Sequence, residues 1–232
     1  MEKKQYELCV EVLRRLNKAG ILKDLILVGS WCIPFYRDYF KTIKYATSIR
    51  TRDVDFMVPG PIKIKTRVDV IELLKDLGFV VGFQGREGYI RLEHPDLAIE
   101  FLVPEKGRGS NKPFPLKELG INAQPLRYLS LLTQKIIHAE VDGIKVYLPH
   151  PVIFAFHKLI IATLRRDEDK SAKDNEAALR ILKAVLDKGE KAVIKITFDS
   201  MLPTWRKKVL RYLKKVKEVE LLRLLSNEDV AT

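Results

Sequence analysis

The sequence predicts an α/β protein of the α+β kind, a mixed sheet with flanking helices followed by a helical C-terminal region. Three observations predict it. Short apolar runs at residues 25–28, 54–58 and 97–103 read as buried strands. Apolar residues at helical spacing separate them, so strands and helices interleave. After Pro149-His150-Pro151 the strand signals give way to helical ones, which places a boundary near residue 150, with a core over 1–150 and a helical domain over 151–232.

Tyr6, Val10, Leu13 and Leu16 line one face of a helix over 6–16, and Gly20 stops it. Residues 25–28 form the first strand. A helix follows over 30–40, with Pro34 tolerated in its first turn. Residues 42–49 are a polar, β-branched connection. Strand 52–58 closes on Pro59-Gly60-Pro61. Residues 68–77 form a helix ended by Gly78, and 79–83 a strand. Residues 89–92 and 97–103 pair antiparallel around His94-Pro95-Asp96. The stretch 104–125, rich in Gly, Pro, Lys and Asn, reads as a surface loop able to close over a site. Asp142-Gly143 marks a hairpin between 135–141 and 144–148. Helices follow over 152–164, 171–186 and 205–216. Residues 190–202 stay ambiguous, because Ile194, Ile196 and Phe198 alternate as in a strand.

The chain has 232 residues, is 47% hydrophobic and carries a formal charge of +12. No apolar stretch reaches the roughly 20 residues a membrane span needs. The N-terminus lacks a signal-peptide core, so the cytoplasm is the expected compartment. Two cysteines are too few for a disulfide framework or a cysteine zinc site. The basic surplus favours polyanions. It concentrates in Arg206, Lys207, Lys208, Arg211, Lys214, Lys215 and Lys217, a run without an acid, which is either the solvent face of a packed helix or a track for RNA or DNA.

The chemistry-bearing pattern is Gly29-Ser30 at the end of the first strand, Asp53-Val54-Asp55 in the second and Glu100 in the strand over 97–103. Side chains alternate along a strand, so Asp53 and Asp55 share a face, about 6–7 Å apart. Carboxylates gathered among apolar neighbours need a counter-charge. Mg²⁺ takes oxygen ligands and leaves positions for phosphate oxygens. A pair of such ions activates an attacking hydroxyl and steadies a leaving group, and a third carboxylate assists in removing the proton. Gly29 permits close approach of a phosphate, and Ser30 offers a hydroxyl at a helix start.

The order strand, Gly-Ser, helix, Asp-x-Asp strand, acidic strand resembles the nucleotidyltransferase superfamily typified by DNA polymerase beta. Within it the chain is most similar to the prokaryotic minimal nucleotidyltransferases, including the abortive-infection toxin type. Gly29-Ser30 matches their Gly-Gly/Ser element, Arg50-Thr51-Arg52-Asp53-Val54-Asp55 approximates their Asp-x-Asp element, and Glu100 stands at the third acid. Phe154-Ala155-Phe156-His157-Lys158-Leu159, then Arg165-Arg166 and Lys173-Asp174, resemble a later "A-x-K-L … R … K-D" pattern. Two departures stand out: a longer gap between Ser30 and Asp53, and Glu where Asp is usual.

The resemblance implies a nucleotidyltransferase fold and transfer of a nucleotidyl group from a nucleoside triphosphate to an acceptor hydroxyl, with release of pyrophosphate. It implies two Mg²⁺ ions, with Mn²⁺ as a substitute, on Asp53, Asp55 and Glu100. Gly29, Ser30 and Lys158 would hold phosphates between the sheet and the helical half, with Asp174 in support. The charge favours an RNA or tRNA acceptor through the basic helix, and a toxin-type role implies an antitoxin partner. The rival is a non-catalytic nucleotide- or RNA-binding module on the same fold. Plainer readings accompany each residue. Asp53 and Asp55 would sit on a solvated edge strand beside Arg50 or Arg52, Glu100 would pair with Arg91, Lys158 would snorkel from its helix, and His157 would lie on a helix surface.

Overall fold

The computed structural model describes residues 2–41, 51–105 and 112–226. The connection predicted at 42–49, Arg50 and the middle of the predicted loop at 104–125 lie outside them. The described residues divide into two compact units, 2–39 with 51–149 and 40–41 with 150–226.

The first unit opens with α1 (Glu2–Lys18). Cys9, Val10, Leu13 and Leu16 are buried at helical spacing, while Lys3, Lys4 and Glu7 stay out. Strand β1 (Ile26–Val28) is buried throughout. The helix expected over 30–40 is much shorter. A 3₁₀ turn at Gly29–Trp31 leads into α2 (Cys32–Phe35), a single turn. Beyond it, Arg37 N–H bonds back only three residues, to Pro34 O. Tyr36 instead donates its hydroxyl to Pro149 O at 2.7 Å, so tertiary anchoring replaces a continued helix.

Strand β2 (Asp53–Met57) lies between β1 and β5, so the edge-strand reading of Asp53 and Asp55 is wrong. The helix α3 (Val70–Lys75) is capped by Asp69, whose carboxylate accepts from Ile71 N and Glu72 N. Strands β3 (Val80–Gln84), β4 (Tyr89–Glu93) and β5 (Ala98–Pro104) follow. The seven-stranded mixed sheet among the described residues runs β1-β2-β5-β4-β3. Its β2–β5 pair is parallel and its β1–β2, β4–β5 and β3–β4 pairs antiparallel.

Part of the expected loop is folded. Residues Phe114–Leu116 form β6 and Ile121–Leu126 form β7, which pairs parallel with the last residues of β5. Pro115, Gly120 and Pro125 hide these short strands from a sequence reading. Asn122, nominally a turn residue, accepts from Ile90 N at 2.8 Å and donates to Gly88 O at 3.1 Å, tying β7 to β4. Strands β8 (Ile136–Val141) and β9 (Ile144–Pro149) form the expected hairpin. Asp142 (φ 48°) and Gly143 (φ 74°) both take the positive φ that a two-residue hairpin turn demands.

The second unit is helical: α4 (Pro151–Ala162), α5 (Glu168–Asp187), α6 (Lys191–Asp199), α7 (Pro203–Lys215) and α8 (Val219–Ser226). The ambiguous segment resolves as helix α6. It buries Ile194, Thr197 and Phe198, spaced three and four apart, and leaves Ile196 exposed. Phe198 meets Phe156 of α4 at a 5.8 Å centroid distance. In α7, Val209 and Leu213 are buried, whereas Trp205 is half-buried and Val216 exposed, so the expected apolar stripe narrows to its middle. No described helix is long and apolar enough to cross a membrane.

Candidate active site

Register decides where the acids go. In the parallel β2–β5 pair, Asp53 stands opposite Ala98 and Asp55 opposite Glu100. Partners in register share a face, and residues two apart on a strand do too. Asp53, Asp55 and Glu100 therefore project from one side of the sheet. The other side is apolar: Val54, Phe56, Ile99 and Phe101 are buried there, and the Phe56 and Phe101 rings stack at 5.8 Å. That packing fixes the register, because a one-residue slip would drive the acids into the core.

Val28 pairs with Asp55, so the chain leaves β1 beside that carboxylate. Gly29 takes φ +71°, and a Cβ there would stand 2.1 Å from Asp55 Oδ2. Only glycine meets both conditions. The Gly-Ser element thus lies against the acidic face. Ser30 sits in the 3₁₀ turn, half-buried, and no side chain caps this turn or the short helix after it. One turn of α-helix carries little dipole, so the expected attraction of anions to a helix start is weak here.

Arg91 sits among the acids. It stands opposite Glu100 in the β4–β5 register. Its guanidinium bonds to Asp53 Oδ1 and brings Nε within 3.3 Å of Glu100 Oε1. The latter is an ion contact without hydrogen-bond alignment, since Arg91 Nε is enclosed and has no hydrogen-bond partner. One cation thus reaches two of the three acids, spanning β5 to touch β2. Asp53 also takes a hydrogen bond from Thr51 Oγ1 at 3.4 Å, and its N–H donates to that oxygen at 3.1 Å. Arg52 is turned elsewhere, donating to His94 O. The Asp53 side chain is 49% exposed and that of Glu100 17%. Among the described residues no three His, Cys, Asp or Glu side chains are gathered tightly enough to hold a metal ion. The donor chemistry suits a hard cation at Asp53 and Asp55, while Arg91 stands between Asp53 and Glu100.

In the second unit, Lys158 is not a snorkelling surface residue. It is buried, with Nζ 2.7 Å from Asp174 Oδ1 and 5.6 Å from the centre of the Phe154 ring. Arg165 Nε donates to the other oxygen of Asp174. His157 is half-buried, not a surface residue, and its enclosed Nε2 has no hydrogen-bond partner. Burial, reinforced by the Lys158 charge, lowers its pKa from 6.5 to about 3, so it is neutral near pH 7.

A nucleotidyltransferase family model matches residues 7–197 of the chain. The chain belongs to this family and is a nucleotidyltransferase. Three solved structures are similar to the chain. An antigenic nucleotidyltransferase-like protein from Paracoccidioides brasiliensis is 16% identical, with a TM-score of 0.51, over 94% of this chain and 93% of that one. ANT(2")-Ia in complex with adenylyl-2"-tobramycin is 14% identical, with a TM-score of 0.47, over 84% and 99%. The antibiotic-resistance factor ANT(2'')-Ia in solution is 12% identical, with a TM-score of 0.45, over 87% and 100%. No curated protein matches the sequence. At 16% identity the likeness to the Paracoccidioides brasiliensis protein concerns the fold alone. The expected nucleotidyltransferase family and mixed α/β architecture are both met. The dual reach of Arg91 was not legible, because it depends on pairing across three strands.

Proposed function

We propose that this nucleotidyltransferase moves a nucleotidyl group from a nucleoside triphosphate to an acceptor hydroxyl at the Asp53–Asp55–Glu100 face. The observation carrying this reading is the register that puts the three acids on one side of the sheet, with Gly29 pressed against Asp55. The acceptor oxygen attacks the α-phosphorus, the bond to the pyrophosphate oxygen breaks, and pyrophosphate leaves. Asp53 and Asp55 would hold Mg²⁺, or Mn²⁺ in its place, which supplies charge neutralisation for the triphosphate and acidifies the attacking hydroxyl. Gly29 and Ser30 give the phosphates a path of close approach beside Asp55. Glu100 takes the proton of the acceptor. Arg91 holds Asp53 and Glu100 in place beforehand and is available to the phosphates once they arrive.

Lys158 and Asp174 enter as a brace between α4 and α5 and not as phosphate ligands, since each already has a close partner inside the unit. RNA, including a tRNA end, is the acceptor this proposal favours. The support is the charge of +12 and the acid-free basic face of α7. A toxin-like role with an antitoxin partner follows from the family resemblance and completes the proposal.

The Arg91 contacts favour one rival, a module that binds nucleotide or RNA without turnover. Labelled ATP, CTP, GTP and UTP, each incubated with total RNA, protein extract and the protein itself, separate the two. Label should pass to RNA in the presence of Mg²⁺, and Asp53→Asn/Asp55→Asn should reduce transfer by about a thousandfold, roughly 4 kcal/mol of barrier. Transfer that persists in the double variant removes the proposed site. Binding without any transfer supports the rival.

A further inference from the structure

A second site lies within the helical unit, away from the acidic face in sequence and in chemistry. Helices α4, α5 and α7 border a half-open cavity of about 680 Å³, in the size range of small-ligand sites. Its α7 wall carries Lys208, Arg211 and Lys215, spaced three and four apart and so on one helix face. No carboxylate is among its lining residues. Arg211 and Lys215 have no ion-pair partner among the described residues.

The facing wall has the opposite character. Thr163 Oγ1 has given its proton to Ile160 O at 2.7 Å, and Ser171 Oγ has given its own to Ala162 O at 2.9 Å. Both hydroxyl oxygens are thereby left with lone pairs to offer. Asn175 also lines this wall. Cationic donors face acceptor oxygens across one cavity. A ligand satisfying both must be anionic on one side and carry hydroxyl or amino donors on the other. A simple phosphate meets only the first wall, and a neutral sugar only the second.

We infer that this pocket binds a ribonucleoside phosphate, with the phosphate on the α7 cations and the sugar or base donors on Thr163 and Ser171. The ligand is either a free nucleotide or a residue of an RNA chain. The inference rests on α7 as the acceptor's contact surface and narrows that surface to one pocket.

The test is binding of AMP, of a short single-stranded RNA and of the DNA of the same sequence to the full-length protein in EDTA, which withholds the divalent cation that the proposed transfer site needs. Arg211→Glu/Lys215→Glu removes the cationic wall. Lys207→Glu/Lys214→Glu makes the same change of charge on exposed α7 residues outside the pocket. The pocket variant should weaken binding by about tenfold or more and the control by about twofold. Arg211→Gln/Lys215→Gln should repeat the loss with a milder change. RNA should bind at least about threefold tighter than DNA, because the 2′-hydroxyl is one of the donors. An effect on AMP identifies a free nucleotide as ligand, and an effect on RNA alone identifies a chain. Equal losses in pocket and control variants, equal RNA and DNA affinity without any effect on AMP, or no binding of any probe each overturn the inference. The outcome is separate from turnover: a failed pocket leaves the Asp53/Asp55 transfer assay readable, and failed transfer leaves pocket binding readable.

Discussion

Two clusters of opposite charges occupy the two units, and they differ in one respect above all. On the sheet, Arg91 reaches Asp53 and Glu100 where Asp53 is 49% exposed. In the helical unit, Lys158 and Arg165 hold Asp174 where the Lys158 and Asp174 side chains are 10% and 8% exposed. Water competes at Asp53 and is largely excluded from the Lys158–Asp174 pair. Ions that keep their water exchange partners at little cost, whereas buried ions cannot lose a partner cheaply. The open cluster is therefore suited to receive a ligand, and the closed one to hold helices together.

The sharpest way to break this comparison is to remove one partner from each cluster. Lys158→Met should lower stability by about 3–5 kcal/mol, because Asp174 keeps a buried charge with only Arg165 beside it. A loss under about 1 kcal/mol in urea unfolding would place the pair among solvent-exposed ones. Gly29→Ala probes the close approach next to the open cluster. The positive φ and the contact with Asp55 together should cost about 2 kcal/mol and reduce nucleotidyl transfer with it. An alanine variant with unchanged melting temperature would show that the turn relaxes freely.

His157 sharpens the picture of the closed cluster through pH. Its folded pKa, about 3, lies below the ordinary 6.5. Above pH 6.5 neither state holds the proton, so the contribution to stability is complete. Between pH 6.5 and 3 the unfolded chain binds a proton that the folded chain refuses, and stability falls with pH at up to about 1.4 kcal/mol per unit. His157→Gln should flatten that slope, and an unchanged slope would assign the acid sensitivity elsewhere. The smallest effect belongs to the open cluster. Arg91→Met should change stability by about 1 kcal/mol or less. A larger loss would mean that Arg91 is structural and not poised for a ligand.

Much of the acidic face was legible beforehand, and the reason is strand geometry. A period of two put Asp53 and Asp55 together, and apolar neighbours marked which face was core. Gly29 was legible as a residue of close approach, although its actual neighbour, Asp55, was not. The helix after Ser30 was overestimated, because local pattern does not reveal that Tyr36 is drawn to Pro149. The stretch 104–125 was read as loop because its prolines and glycine conceal β6 and β7, of which β7 exists through pairing with β5 and β6 through pairing with β7, not through their own propensity. The alternation of Ile194, Ile196 and Phe198 suggested a strand until helix packing claimed Ile194 and Phe198 and left Ile196 outside.

By itself the sequence determined the mixed α/β class, the Asp142-Gly143 hairpin, the helical second half and the set of acids, since each rests on spacing along the chain. Tertiary structure alone decided that Arg91 bridges Asp53 and Glu100, that Lys158 is committed to Asp174, and that α7 faces the acceptor oxygens of α4 and α5 across a cavity. Those are meetings between residues far apart in the chain. They are set by strand register and helix packing, which minimise buried polar cost over the whole fold and leave no local trace in the sequence.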